Sequence, residues 1–242
     1  MTGAQPERIA KRLARAGLCS RREAERWIAA GRVTVDGERL ATPAFTVTAA
    51  SLITVDGAPI PDAAPPQLWR YHKPRGLITT NSDPEGRTTI FERLPARLPR
   101  VVSVGRLDLN SEGLLLLTND GGLARRLERS NWRRRYRVRV HGTVDPEALA
   151  RLANGTTIAG VRYAALEAAI ESKRGANSWL ALGLHEGKNR EVRRIMEALG
   201  CQVTRLIRTA FGPFQLGGLA VGQVAKVPGK VVAEQLGRGG AG

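Results

Sequence analysis

One aspartate, Asp108, lies between a strand-like segment that ends at Gly105 and a run of four leucines from Leu114 to Leu117. A carboxylate beside apolar walls is costly to bury unless it has a charged partner or a chemical task. Taken alone, such an aspartate is more often a helix cap or one half of a structural ion pair. Asp108 is therefore a candidate catalytic group, and the structural alternative stays open at this point.

Basic residues greatly outnumber acidic ones, since 38 Lys and Arg against 22 Asp and Glu give a net charge of +16 over 242 residues. Such an excess indicates a polyanionic partner, either nucleic acid or an anionic membrane surface. No apolar run approaches the roughly 20 residues of a membrane-spanning helix. Because Met1 to Lys11 also lacks the apolar core of a signal peptide, we expect a cytoplasmic protein that does not associate with membranes.

The first sixty residues predict two short helices followed by a small sheet. Arg8 to Ala16 has helical periodicity, and a second helix begins after Ser20, whose side chain together with Glu23 matches a capping box. Short strands are predicted at 33–35 and 53–55, each followed by an Asp-Gly pair that is typical of tight turns. We assign residues 1–62 to this first domain.

The proline-rich segment from Pro59 to Gln67 is unsuited to a helix or a central strand, so we place an interdomain linker at residues 63–67. The second domain is expected at 68–232 and a disordered tail at 233–242. Strands are predicted at 68–72, 101–104, 114–118, 136–140, 179–184 and 203–209, and helices at 146–153 and 190–199, the second entered at Asn189. Strands outnumber helices without strict alternation, which favours an α+β fold with a mixed, largely antiparallel sheet.

Arginines are concentrated on the two predicted helices, where a solvated surface is the simple interpretation. The phrase from Arg8 to Gly37, however, resembles the small RNA-binding module first known from ribosomal protein S-four, the alpha-L motif. In that family the helix pair and the following strand grip structured RNA, largely through phosphates, which position an RNA without reading its sequence. The resemblance implies RNA contacts from Lys11, Arg12, Arg15, Ser20, Arg21, Arg22, Arg26 and Arg32.

The segment from Gly105 to Gly121 resembles the nucleophile motif of the RsuA/RluB-type ribosomal RNA pseudouridine synthases, in which the matching aspartate is catalytic. That resemblance makes Asp108 the nucleophile. Further matching segments follow the order of the family: His72 to Gly76, Arg135 to Val138, Glu186 to Arg194, and Val203 to Arg208.

The same resemblance implies roles for other residues. Tyr136 is the aromatic partner of the target base, Leu206 packs under the uracil, and Arg193 pairs with the nucleophile. Arg106 is a candidate to fill the space of the displaced nucleotide, with a structural salt bridge as the alternative. Further RNA contacts are expected from Lys73, Lys188, Asn189 and Arg190.

Pseudouridine formation breaks the glycosidic nitrogen–carbon bond, turns the uracil and rejoins it through carbon, without redox change or an outside group. We therefore expect no cofactor and no metal, but an ionised carboxylate, a guanidinium that holds it and a closed pocket. A uridine in folded RNA has to be everted first. The expected partner is ribosomal RNA or a pre-ribosomal particle, with a lean toward the large subunit, and the expected state is a monomer.

Two other functions compete with this interpretation. A catalytically silent RNA-binding ribosome-assembly factor would use the same basic surface, but it has no reason to keep Asp108, Tyr136 and Arg193 together. A nuclease would need clustered carboxylates to hold metal ions, and the sequence shows no such cluster.

Overall fold

The computed structural model describes residues 6–238, which form two compact units that divide between Pro66 and Gln67. The first unit extends to residue 66 and also takes in residues 97–102 and 119–121, and the second unit contains the remainder. The division lies at the end of the proline-rich segment. Across the described residues, no helix combines the length and the apolar character needed to cross a bilayer.

The first unit contains two short helices and two small sheets. Its elements are β1 (Glu7–Arg8), α1 (Ile9–Arg15), α2 (Arg21–Ala29), β2 (Val33–Val35), β3 (Glu38–Arg39), β4 (Thr46–Val47), β5 (Ile53–Val55) and β6 (Ala58–Pro59). The predicted cap forms, because the Ser20 side chain accepts a hydrogen bond of 3.0 Å from the amide of Glu23. This bond satisfies one of the free amides at the start of α2.

The sheet of the first unit is antiparallel, with strand order β3-β2-β5-β6, and β1 pairs separately with β4. Asp36 and Asp56 begin the predicted turns in the left-handed conformation, at φ 53° and 52°. Asp and Asn tolerate this conformation better than most residues, and a glycine follows each of them. The apolar faces of α1 and α2 pack on this sheet, with Ile9, Leu13 and Ile28 fully buried.

The second unit is built around one large sheet. Its elements are β7 (Leu68–Lys73), β8 (Val102–Val104), β9 (Glu112–Thr118), α3 (Gly121–Glu128), β10 (Arg134–His141), α4 (Pro146–Arg151), β11 (Thr156–Ile158), β12 (Val161–Tyr163), β13 (Glu167–Arg174), β14 (Asn177–Leu184), α5 (Glu191–Ala198), β15 (Gln202–Phe211), β16 (Phe214–Gln215), β17 (Val224–Lys226) and α6 (Gly229–Arg238). Short 3-10 helices occupy Phe91–Arg93 and Leu152–Asn154.

The large sheet has the strand order β13-β14-β10-β15-β9-β7-β17 within the described residues. The β9–β15 pair is parallel, whereas β7–β9, β10–β14, β10–β15, β13–β14 and β7–β17 are antiparallel. The predicted α+β class with a mixed, largely antiparallel sheet is thereby confirmed. Every residue of β9 is buried, as the leucine run of this central strand suggested.

Three local predictions need correction. Helix α5 is not entered through an Asn189 cap, because its N-cap is Arg190 in the left-handed conformation (φ 52°) without a side-chain cap bond. The predicted helix over 146–153 changes into a 3-10 helix at Leu152. The predicted disordered tail begins too early, since α6 continues to Arg238, and its remaining part, 239–242, lies outside the described residues.

Candidate active site

The turn that carries Asp108 is fixed by hydrogen bonds to five consecutive backbone carbonyls, those of residues 107 to 111. Leu107 O accepts from Thr79 Oγ1 (2.8 Å), and Leu109 O accepts from Gly76 N (2.8 Å). Asp108 O accepts from Lys73 Nζ (3.1 Å) and Ser111 N (3.0 Å), and Ser111 O also accepts from Lys73 Nζ (2.9 Å). Asn110 O accepts from Arg193 Nη2 (2.9 Å). No residue of the turn can shift without breaking at least one of these bonds. The backbone that carries the Asp108 side chain is therefore held in place before any substrate arrives.

Lys73 supports this turn from within the protein, which contradicts the prediction that it contacts RNA. Its side chain is 0% exposed, and its ammonium donates to the carbonyls of Pro74, Asp108 and Ser111. Burial lowers the pKa of Lys73 to about 8, although the nearby charges of Asp108 and Glu112 oppose the shift. The sequence shows a charged residue before a proline, but it does not show that Lys73, the last residue of β7, points into the core.

Arg193 also supports the turn, and its predicted direct pairing with Asp108 is not formed. The guanidinium donates to Asn110 O (2.9 Å) and Val203 O (3.3 Å), and within residues 6–238 no carboxylate forms an ion pair with it. Burial is the main cause of a lowered Arg193 pKa, while the Asp108 charge acts in the opposite direction. Arg193 is thus electrostatically coupled to Asp108, and it anchors the turn through backbone oxygens.

A cavity of about 490 Å³ opens beside the Asp108 turn. Its lining brings together four of the predicted catalytic residues: Arg106, Asp108, Tyr136 and Leu206. The predicted RNA contacts Lys188, Asn189 and Arg190 also line it, whereas Arg193 and Lys73 do not. Residues from four separate stretches of the sequence therefore meet around one partly exposed carboxylate.

Tyr136 and Leu206 are positioned by neighbouring strands. Tyr136 on β10 lies opposite Arg208 of β15, and Leu206 lies two residues before Arg208 on the same face of that strand. Leu206 is only 5% exposed, so its position is set by the core, and Tyr136 is half-buried. The pair offers an aromatic ring and an apolar side chain, which suit a flat base.

Arg106 is exposed at the rim of the cavity. Among the described residues it forms no ion pair, so the alternative of a structural salt bridge finds no support there. Its guanidinium is free to approach a ligand. That availability fits the predicted contact with a displaced nucleotide, although it does not test the contact.

The loop before α5 and the first residue of the helix form another wall of the cavity and carry two neighbouring carboxylates, Glu186 and Glu191. Glu186 accepts from Ala164 N (2.7 Å) and pairs with Lys188 Nζ (2.8 Å), while Glu191 Oε2 accepts from Lys188 N (2.9 Å). Burial raises the pKa of Glu191 to about 7, and the nearby Glu186 adds to the shift. Hydrogen bonds from Lys188 and Ala164 lower the pKa of Glu186 against the effect of its own burial. The two neighbouring carboxylates therefore have pKa values shifted in opposite directions.

The predicted RNA-binding residues of the first unit differ in whether they pair with acidic side chains. Arg21 and Arg22 are exposed at the start of α2, and in the described part of the chain no ion pair involves them. The other basic residues have acidic neighbours: Lys11 and Arg15 bond to Glu7, Arg12 lies 3.8 Å from Asp62, Arg26 pairs with Glu23, and Arg32 donates to Asp56 at 2.9 Å. Ser20 caps α2.

Sequence reasoning missed three buried charged residues of the cavity: Arg134, Glu191 and Arg208. Arg208 belongs to a segment that carried the family resemblance, so its position could have suggested a role. Glu191 likewise belongs to the matching segment from Glu186 to Arg194, whereas Arg134 gave no comparable signal, because its burial depends on how β10 packs.

Comparison with known proteins finds two matching families. Residues 67–198 match the RNA pseudouridylate synthase family, and residues 7–59 match the S4 domain. An uncharacterized RNA pseudouridine synthase of Rickettsia prowazekii is 44% identical over 95% of this chain and 97% of its own length. The ribosomal large subunit pseudouridine synthase B of Salmonella typhi is 45% identical over 87% of this chain and 75% of its own length.

A crystal structure of a pseudouridylate synthase has the same fold, with a TM-score of 0.65 and 24% identity over 93% of this chain and 98% of that one. The family match covers more than half of the 242 residues, and relatives above 40% identity span nearly all of them. This chain belongs to the RNA pseudouridine synthase family and carries an S4 domain at its amino-terminal end.

Proposed function

We propose that this protein converts a specific uridine of large-subunit ribosomal RNA to pseudouridine, with Asp108 as the nucleophile. The observation that carries the proposal is that Asp108 shares one cavity with Tyr136 and Leu206 while its own turn is immobilised. The large-subunit substrate is supported by the names of similar proteins in Salmonella typhi and Pseudomonas aeruginosa. Membership of an enzyme family favours catalysis over the alternative of a silent assembly factor.

In the proposed reaction the target uridine leaves its stack and enters the cavity beside Asp108. The N1–C1′ bond then breaks with its electron pair left on N1, while the Asp108 carboxylate bonds to C1′. The uracil turns between Tyr136 and Leu206, C5 bonds to C1′ and displaces the carboxylate, and the proton lost from C5 is balanced by a proton gained at N1. Tyr136 and Leu206 keep the detached base from escaping, and Arg106 occupies the position that the everted nucleotide leaves. Eversion costs a few kcal/mol of lost stacking, which phosphate contacts elsewhere on the protein offset.

We further propose that the protein acts as a monomer in the cytoplasm during ribosome biogenesis. The exposed Arg21 and Arg22, with the other basic residues of α1 and α2, would contact phosphates of the ribosomal RNA. Asn189 and Arg190 would contact the RNA next to the target uridine, because they line the cavity and are exposed.

The substrate can be identified by mapping pseudouridines in ribosomal RNA from cells with and without the gene for this protein. We expect one large-subunit position to lose its modification in the deletion strain and to regain it when the wild-type protein is restored. Identical maps would refute the proposed substrate, and a lost position in another RNA would replace it.

A further inference from the structure

Arg208 is a buried arginine in the wall of the catalytic cavity. It lies on β15, where its backbone pairs with Tyr136 of β10 and with Gly113 of β9, and it is 4% exposed. A Cβ atom at position 113 would overlap the backbone oxygen of Arg208, so the glycine permits the close approach of the two strands. The position of Arg208 beside the Tyr136 ring is thus set by the sheet itself.

The guanidinium of Arg208 keeps unused hydrogen-bonding capacity. Its Nε donates to Leu114 O at 2.7 Å and its Cζ lies 5.6 Å from the centre of the Phe211 ring, but its buried Nη2 has no hydrogen-bond partner among the described residues. The neighbouring Arg134, also in the cavity wall, donates instead to the carbonyls of Trp132, Glu128 and His185. A buried donor without an acceptor is costly, so the Nη2 of Arg208 is better explained by a ligand than by the fold.

The chemistry of the cavity indicates which ligand would satisfy this donor. Uracil presents two carbonyl oxygens, and when the N1–C1′ bond breaks heterolytically the bonding electron pair stays on N1. The resulting negative charge spreads over N1 and both carbonyl oxygens. A buried guanidinium such as that of Arg208 binds such an anion more strongly than it binds the neutral base, and this difference lowers the barrier.

We propose that Arg208 is a substrate-binding residue whose guanidinium donates a hydrogen bond to a carbonyl oxygen of the everted uracil and retains the base after it leaves the sugar. This inference rests on the proposed function, because it assigns a ligand to the same cavity. Arg208 takes part in no bond making or breaking. The base reattaches through C5, which neutralises the charge on the uracil, and loss of the C5 proton to solvent is then balanced by proton uptake at N1.

The test combines single substitutions with single-atom changes in the RNA. Wild type, Arg208→Met, Arg208→Lys and the control Arg137→Met are compared on a transcript that contains the mapped uridine, and on transcripts with sulfur in place of O2 or O4 of that base. Arg137 is a suitable control because it is exposed on the opposite face of the neighbouring strand, paired with Glu171. The single-turnover rate, the RNA affinity and the melting temperature are measured for each variant.

We expect Arg208→Met to slow the single-turnover rate roughly 10- to 100-fold, the effect of losing one charged hydrogen bond, while RNA affinity stays within about threefold. Wild type and Arg137→Met should react more slowly with one of the two thio transcripts than with the unmodified transcript. Arg208→Met should react with that thio transcript no more slowly than with the unmodified one. Arg208→Lys should fall between wild type and Arg208→Met, and it carries the test if Arg208→Met does not fold.

Equal thio effects in the wild type and in both Arg208 variants would overturn the inference, since a purely structural arginine slows all substrates alike. A rate for Arg208→Met within threefold of wild type would overturn it as well. If the wild type itself leaves the mapped transcript unmodified, the proposed substrate fails instead, and the two failures remain distinguishable.

Discussion

The exposed arginines of the helix pair and the buried arginines in and behind the wall of the catalytic cavity have different surroundings. Arg21 and Arg22 on α2 are exposed and have no acidic partner among the described residues. Arg134 and Arg193 are less than 10% exposed and donate to backbone carbonyls. Exposed cations contact phosphates interchangeably and are screened by salt, whereas buried cations fix a geometry that salt does not reach. We propose that the first set serves docking, whereas the second set holds backbone segments of the site in place.

Removing a buried cation should damage catalysis far more than docking. We expect Arg193→Ala to lower the single-turnover rate at least about 100-fold, because the Asn110 carbonyl loses its donor and Asp108 loses a nearby positive charge. RNA affinity, measured by filter binding, should stay within threefold. Arg194→Ala is the matched control, since Arg194 is exposed on the same helix. Loss of folding with no rate defect in the folded fraction would make Arg193 purely structural.

Lys73→Met removes the support of the turn from within the core, together with a positive charge near Asp108. Three carbonyls lose their donor, so we expect the free energy of unfolding to fall by about 2–4 kcal/mol and the rate to fall roughly tenfold. Urea unfolding and tritium release from C5 of the target uridine measure the two effects. A fully active Lys73→Met protein would show that the turn does not need these bonds.

Removing exposed cations should weaken docking more than it slows catalysis. For Arg21→Gln combined with Arg22→Gln, we expect the slope of log affinity against log salt to fall by roughly 1.5 while the rate at saturating enzyme is unchanged. Arg135→Gln with Arg139→Gln is the matched control, because it removes the same charge from exposed positions of β10. If both double variants change the slope equally, the helix pair is not the specific docking surface.

A smaller effect, on the free energy of unfolding, is expected from replacing Glu191, the buried carboxylate of the cavity wall. Because burial raises the Glu191 pKa to about 7, its neutral form is favoured in the folded state. The stability that this neutral form provides is fully present below the unfolded pKa near 4.5 and is lost as the pH rises through 7. Glu191→Gln should therefore gain about 1–3 kcal/mol relative to wild type between pH 5 and pH 8. An equal pH profile for both proteins in urea unfolding would exclude the raised pKa.

Features governed by neighbouring residues could be predicted from the sequence. The Ser20 cap, the turns at Asp36 and Asp56, and the strands of the first unit depend on a few adjacent residues, and each lies where it was expected. The leucine run likewise predicted the central strand β9. The edge strand β13 was missed, because its exposed, charged residues show no apolar alternation and only pairing with β14 keeps it extended.

Features that depend on distant packing could not be predicted. Lys73 was assigned to the surface by its charge, yet carbonyls brought from residues 108 and 111 surround it. The family resemblance placed Arg193 beside the nucleophile, but its backbone acceptors become visible only after folding. Arg190 adopts a left-handed conformation that nothing in its neighbours requires. The identity of the site was thus accessible from the sequence, whereas its supporting bonds were not.

The central claim is that the carboxylate of Asp108 performs the chemistry in a site built before the RNA arrives. The most direct measurement is tritium release from C5 of the target uridine by Asp108→Asn and by wild type, at saturating enzyme and with RNA affinity measured in parallel. We predict no detectable release by Asp108→Asn, RNA affinity within threefold of wild type, and an unchanged melting temperature within a few degrees. Tritium release by Asp108→Asn at a rate near that of the wild type would contradict the account.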